Sequence, residues 1–193
     1  PAYLSTRKRC SMKFERTSLV DVIRIEPDIY GDERGFFQES WNQRAFSEAG
    51  FDWEFVQDNH SRSQQGILRG LHFQTQQPQG KLVRVTAGAV YDAVVDLRKD
   101  SASFGQYLGI ELSAENRRML YVPPGFAHGF YVLSESADFL YKTTDYYHPE
   151  SELSLAWDDP TVDIDWPLVE AAPPQLSDKD RQGLPWQDIP YFD

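Results

Sequence analysis

The sequence is poor in cysteine, in positive charge and in long apolar runs. Its one cysteine, Cys10, can form no intrachain disulfide, which excludes a disulfide-built scaffold and suits a reducing, cytoplasmic setting. No stretch of 18 apolar residues occurs, so no membrane-spanning helix and no membrane partner are expected. Asp and Glu number 30 against 19 Lys and Arg, a formal net charge of −11. That balance argues against nucleic acid, whose phosphates need a basic footprint. An anionic small ligand would need a local cluster of Arg and Lys against this background. No Gly-rich loop follows a strand and opens a helix, which removes the dinucleotide-binding and P-loop classes. Internal repeats and low-complexity segments are also missing. The opening PAYLSTRKRCS is basic without an apolar centre and does not read as a secretory signal. Residues 1–11 are expected to be an N-terminal extension or an expression remnant, and residues 12–193 one domain.

Aromatic residues are plentiful: 12 Phe, 10 Tyr and 5 Trp. They favour strands, and the pattern agrees. Strands are expected over 18–30 (ending near Pro27), 36–41, 53–63, 67–73, 81–87, 89–98, 106–112, 117–122, 128–134, 138–147 and 154–159, with Gly31–Gly35 and Pro123-Pro124-Gly125 as turns. In 89–98 the alternation is clean: Val90, Asp92, Val94 and Asp96 share one face, and Tyr91, Ala93, Val95 and Leu97 the other. Phe139, Tyr141 and Thr143 likewise share a face. One short helix, QRAFSEA, follows Asn42 as its cap and stops at Gly50. Ser177–Asp180 reads as a second short helix start. Many short strands, Gly/Pro turns and little helix point to an all-β antiparallel sandwich or barrel.

The chemistry gathers around Gly66–Gly88, GILRGLHFQTQQPQGKLVRVTAG. Two β-like runs flank a polar turn and carry Arg69, His72 and Lys81. Gly66 stands six positions before His72, and Pro123, Gly125 and His128 are spaced Pro-x-Gly-x-x-His. These spacings resemble the two motifs of cupins, small jelly-roll barrels that bind a metal through histidines and a glutamate. Here Gln74 replaces the second histidine and Lys81 stands where the glutamate is expected. A lysine ammonium repels a divalent cation. The motif therefore reads as a cupin whose metal has given way to a fixed organic cation able to hold a developing oxyanion.

The segments GDERGFFQESWNQRAF, FVQDNHSRS, GILRGLHFQ, QGKLVRV, FGQYLGIELSAENRR, PPGFAHGF, FLYKTTDYY and LSDKD, in that order over about residues 13–182, resemble the dTDP-4-dehydrorhamnose 3,5-epimerase family. The resemblance implies inversion of C3 and C5 of a dTDP-4-keto-6-deoxy sugar through an enolate, with no cofactor. It implies His72 as base, Asp180 as the carboxylate that orients it, Tyr141 as acid on the opposite face and Lys81 at the C4 oxygen. It further implies Arg34, Glu39, Gln57 and Asn59 as nucleotide contacts, Arg69 at the diphosphate, His128 near the sugar, Glu152 and Lys179 as further contacts, Asp92 beside the active site, and a homodimer.

Plainer roles stand beside these. Ser177-x-x-Asp180 fits a capping box, so Asp180 could serve a helix end. Tyr131, Tyr146 and Tyr147 rival Tyr141. Arg34 and Glu39 could be a surface pair, and Asp92 and Asp96 strand-end anchors. His60 and His148 have no assigned site. A mono-epimerase, a metal-dependent cupin and a non-catalytic sugar-nucleotide module are the competing functions.

Overall fold

The computed structural model describes residues 12–169 and 172–193; the reading of residues 1–11 lies outside them. In chain order the strands are β1 (Met12–Arg16), β2 (Ile23–Pro27), β3 (Tyr30–Asp32), β4 (Gly35–Phe37), β5 (Gln57–Gln64), β6 (Leu68–Gln74) and β7 (Lys81–Ala87). There follow β8 (Ala89–Asp96), β9 (Tyr107–Ser113), β10 (Met119–Val122), β11 (Phe126–Val132), β12 (Ser136–Thr143) and β13 (Glu152–Ser154). One sheet runs β1-β2-β10-β7-β12-β5 and the other β13-β6-β11-β8-β9, with every pair antiparallel. From β5 to β8 and from β9 to β13 the chain crosses between the sheets at each strand, the wrapping of a jelly roll. The all-β expectation holds.

Three apolar layers hold the sheets. Val83, Val90, Val94, Phe130 and Phe139 fill the space between them. Leu71, Phe73, Ala93 and Val95 face outward from the second sheet and are covered by C-terminal residues, among them Leu155, Trp166 and Ile189. Ile25, Leu82 and Met119 face outward from the first sheet under α1 (Gln43–Glu48). The alternation read in β8 is thus a partition between two cores. Asn42 caps α1 as expected, accepting from the backbone N–H of Arg44 and Ala45.

Several boundaries differ from expectation. Residues 36–41 are not one strand: β4 stops at Phe37 and pairs with β3 in a hairpin separate from both sheets. Trp41 instead packs on Phe46, 4.3 Å between ring centroids. The strand expected from Trp53 starts at Gln57, because Trp53 stacks on Tyr121 at 3.5 Å and Phe55 packs on Trp41. β12 ends at Thr143, whose hydroxyl donates to the Asp145 carbonyl and turns the chain. The last strand lies at 152–154 rather than 154–159, since Asp159 accepts from the backbone N–H of Thr161 and Trp186 and holds a turn. Ser177–Asp180 starts no α-helix; Asp180–Gln182 is a single 3-10 turn. β1 was not anticipated.

One irregularity positions the site. His72 lies opposite His128 and Arg69 opposite Phe130, so three steps along β6 match two along β11. Such a bulge inverts side-chain parity. Leu68 and Leu71 therefore both join the outer core, while Arg69 and His72 both face the interior. The bulge needs two glycines. Gly70 has φ +125°, and a Cβ there would lie 2.5 Å from the Gly129 Cα; a Cβ on Gly129 would lie 2.5 Å from the Arg69 carbonyl oxygen. Gly70→Ala and Gly129→Ala are each expected to lower unfolding free energy by about 2 kcal/mol or more, through backbone strain and overpacking. Denaturant titration checks this. A loss below roughly 0.5 kcal/mol, the range of neutral surface changes, would show that the strands can part at no cost.

Candidate active site

A cavity of about 320 Å³ opens between the sheets. β6 and β11 bring Arg69, His72 and His128 to one wall; β5, β7 and β12 bring Gln57, Asn59, Lys81 and Tyr141 to the other. Glu152 from β13 and Lys179 from the C-terminal segment complete the rim. Nine residues named from the sequence therefore meet in one space. Gln57 and Asn59 are two apart on β5 and share a face, with the Gln57 amide donating to the Asn59 side chain at 2.9 Å.

Asp180 and Asp92 stand behind the two histidines. His72 Nε2 and Asp180 Oδ1 are 2.6 Å apart, with Asp180 only 4% exposed. A carboxylate can only accept, so Nε2 is the donor in this bond and Nδ1 is not engaged by Asp180. Burial raises the Asp180 pKa, but hydrogen bonds from His72, Ser177 and the Gly70 N–H outweigh it and hold the carboxyl below the usual range. The capping reading of Asp180 survives only in part. Its backbone N–H bonds the Ser177 hydroxyl at 3.1 Å, while its carboxylate faces His72. His128 Nε2 donates to Asp92, 2.9 Å to Oδ2, in a second buried pair. Burial depresses the His128 pKa against the pull of Asp92, which favours neutral imidazole.

Lys81 is the unusual cation. Burial lowers its pKa from 10.5 to about 8, with Glu152 and Asp92 opposing the shift. Burial, then Glu152, raises the Tyr141 pKa, which keeps the phenol protonated at neutral pH. Arg69 Nε donates to Ser63 at 2.9 Å, which fixes the guanidinium at the wall. Lys179 pairs with Glu152, and Tyr147 donates to Glu152 at 2.6 Å. The cavity thus holds three cations, Arg69, Lys81 and Lys179, against one carboxylate, Glu152, in a protein of net charge −11. That is the local inversion an anionic ligand requires.

Arg34 and Glu39 do not join this cavity. Arg34 is at the tip of the β3–β4 hairpin, exposed and bonded to Asp32; Glu39 accepts from Asn42 at 3.1 Å. Gln74, in the place of a cupin ligand, is turned into the loops, bonding the Gln77 carbonyl and the His148 N–H. Among the described residues no three imidazole, thiol or carboxylate groups converge to hold a metal ion. Of the rival tyrosines, Tyr131 is in the outer core, where its hydroxyl accepts from the Val169 N–H, and Tyr147 lines the cavity through Glu152. Ser61, Gln79 and Phe130 also line the cavity and were not singled out from the sequence; Phe139 lines it beside Tyr141, on the face expected. The period-two run Gln57, Asn59, Ser61, Ser63 carried the signal for Ser61.

The comparisons decide the family. A family profile described as dTDP-4-dehydrorhamnose 3,5-epimerase matches residues 16–188. The chain belongs to the dTDP-4-dehydrorhamnose 3,5-epimerase family. A Pseudomonas aeruginosa relative of that name is 59% identical over 182 residues, 94% of this chain and 99% of the relative. The Escherichia coli K12 relative is 53% identical over 173 residues, covering 89% and 92%. A Legionella pneumophila structure, described as a dTDP-6-deoxy-D-glucose-3,5-epimerase in complex with dTDP-4-keto-L-rhamnose, superposes with TM-score 0.88 at 55% identity, covering 92% of this chain and 94% of that one. The span matching the epimerase family contains every residue assigned to the site from the sequence.

The Asp180 geometry has a pH signature. Its folded pKa is below the unfolded value near 3.8, so its contribution to stability is complete above that value and is lost as pH falls through the lower folded one. Asp180→Asn is expected to cost about 1–3 kcal/mol at pH 7, with the deficit shrinking below about pH 4. Chemical denaturation across pH measures this; a deficit that does not change with pH would contradict the ionised pair.

Proposed function

We propose that this chain inverts C3 and C5 of dTDP-4-dehydro-6-deoxy-D-glucose, giving dTDP-4-dehydro-L-rhamnose, within dTDP-L-rhamnose biosynthesis. The observation that carries the reading is the placement of the His72–Asp180 pair and Tyr141 on opposite walls of one cavity that also holds Lys81. Both C–H bonds lie α to the C4 ketone, which acidifies them and makes a cofactor unnecessary. His72 Nδ1 takes the proton, with Asp180 stabilising the imidazolium. The enolate oxygen rests against the Lys81 ammonium in a site of low dielectric, where a fixed charge counts most. Tyr141 returns a proton to the other face. Arg69 and Lys179 suit the diphosphate, Gln57 and Asn59 the nucleoside, and His128, held by Asp92, the sugar.

The molecule acts as a cytoplasmic homodimer, with residues 12–193 as one catalytic domain. Phe36 and Phe37 are 59% and 61% exposed on the hairpin that carries Arg34. Adjacent exposed aromatics on a projecting hairpin suit a contact with a second copy, and that contact would deliver Arg34 and Glu39 to a neighbouring cavity.

In D₂O, product from dTDP-4-keto-6-deoxyglucose is expected to carry deuterium at both C3 and C5. Exchange at one position alone would favour a mono-epimerase, and exchange at neither would refute the reading. His72→Ala should lower kcat by about 10²–10⁴-fold while nucleotide affinity is retained; equal loss of both would contradict a base role. The Lys81 cation is present below its pKa of about 8 and lost above it, so kcat/KM should fall on the alkaline side near that pH. In the residual activity of Lys81→Arg, whose charge persists, the fall should move upward. An unmoved limb would assign the titration to another group.

A further inference from the structure

Four residues line both the main cavity and a smaller one of about 20 Å³ that adjoins it: His72, Gln79, Lys81 and Glu152. They stand together where the two spaces meet, and Gln79 alone among them has no role so far. It lies two residues before Lys81, at the entrance of β7. Its Nε2 donates to the Asp145 carbonyl at 2.9 Å. A carbonyl can only accept, so this bond fixes the orientation of the amide and turns Oε1 away from Asp145. No donor among the described residues bonds that oxygen. The backbone beside it is held as well: the Gly80 N–H donates to the Thr144 hydroxyl at 2.7 Å, and the Gly80 carbonyl accepts from the Thr144 N–H at 2.9 Å. Gln79 thus brings a fixed, unclaimed acceptor to the part of the cavity that holds His72 and Lys81.

What that acceptor takes follows from the function proposed above, on which this inference rests and which puts the C4 ketone oxygen against Lys81. Of the two carbons flanking the ketone, C5 carries a methyl group and the ring oxygen, and only C3 carries a hydroxyl. The ketone oxygen accepts and the neighbouring hydroxyl donates; Lys81 and Gln79 offer the complementary donor and acceptor. We infer that Gln79 is a specificity-determining residue for the C3 inversion, its Oε1 accepting from the C3 hydroxyl. When His72 removes the C3 proton, the electron pair of the broken C–H bond forms the C3=C4 double bond and the charge moves to the C4 oxygen. C3 becomes planar. Its hydroxyl keeps its own proton and lies in the plane of the double bond, beside the C4 oxygen. An acceptor next to the ammonium holds that hydroxyl in plane while one proton leaves one face and another arrives at the other. In the C5 inversion C3 stays tetrahedral, and the same bond only seats the ring. The bond therefore favours the C3 transition state over the C5 one.

The test compares the two carbons within one sample. Initial rates of deuterium incorporation at C3 and C5 in D₂O, followed by NMR, give a C3:C5 ratio that does not depend on how much of the enzyme is folded. Gln79→Met, of similar length but without an acceptor, should lower that ratio about tenfold, the worth of one hydrogen bond. Gln79→Glu keeps an acceptor oxygen and should recover most of the loss. The 3-deoxy analogue of the substrate, a dTDP-4-keto-3,6-dideoxy sugar, has no hydroxyl for Gln79 to hold. Its ratio should be the same in the unsubstituted enzyme and in Gln79→Met. An unchanged ratio for Gln79→Met on the full substrate overturns the inference. So does an equal fall with the 3-deoxy analogue, or a ratio in Gln79→Glu as low as in Gln79→Met. Failure of the unsubstituted enzyme to exchange at C3 and C5 would instead refute the function itself.

Discussion

The hydrogen bond between His72 and Asp180 joins residues 108 apart in sequence, and the rest of the site depends on it. It commits one imidazole nitrogen to donation and leaves the other unengaged by Asp180. It also ties the C-terminal segment to β6, because Asp180 accepts from the Gly70 N–H at 3.3 Å as well. Burying such a carboxylate is costly unless its lone pairs are filled. Here the Ser177 hydroxyl, a backbone amide and the imidazole fill them. The C-terminal segment is therefore part of the candidate site, carrying Lys179 to a cavity built by strands far upstream and Asp180 to the back of His72.

The jelly roll supplies what that bond requires. Its two sheets put His72 and Tyr141 on facing walls, a geometry that one sheet could not offer. The bulge at Gly70 adds a cation to the first of these walls by bringing Arg69 to the same face as His72. Within a strongly acidic protein, Arg69, Lys81 and Lys179 line one cavity together. Burial of Lys81 depresses its pKa, and the same desolvation strengthens the field its charge exerts in the cavity.

Much of this was legible in the sequence, for physical reasons. Strands with period-two alternation, such as β8, announce their two faces because burial on each face selects the residue type. His72, Lys81 and His128 were visible through motif spacing on strands that face one cavity. Boundaries failed where side chains left the ladder: Trp41, Trp53 and Phe55 were absorbed by an aromatic layer over α1, which strand propensity cannot foresee. Asp180 was ambiguous because a capping box and a dyad partner have the same local sequence; only the fold shows where the carboxylate points. The parity change at Gly70 was invisible, since it depends on Gly129 on the paired strand β11, far along the chain. Arg34 and Glu39 match the family by sequence yet lie outside the cavity, because a motif match identifies a residue and not where the fold places its side chain.

The central claim is geometric: base and acid approach the sugar ring from opposite faces while Lys81 holds the ketone oxygen. A crystal structure with a bound dTDP-sugar tests it most directly. The account predicts His72 and Tyr141 on opposite faces of the ring, each within reach of C3 or C5, and the Lys81 ammonium against the C4 oxygen. Both side chains on one face, or a C4 oxygen turned away from Lys81, would contradict it.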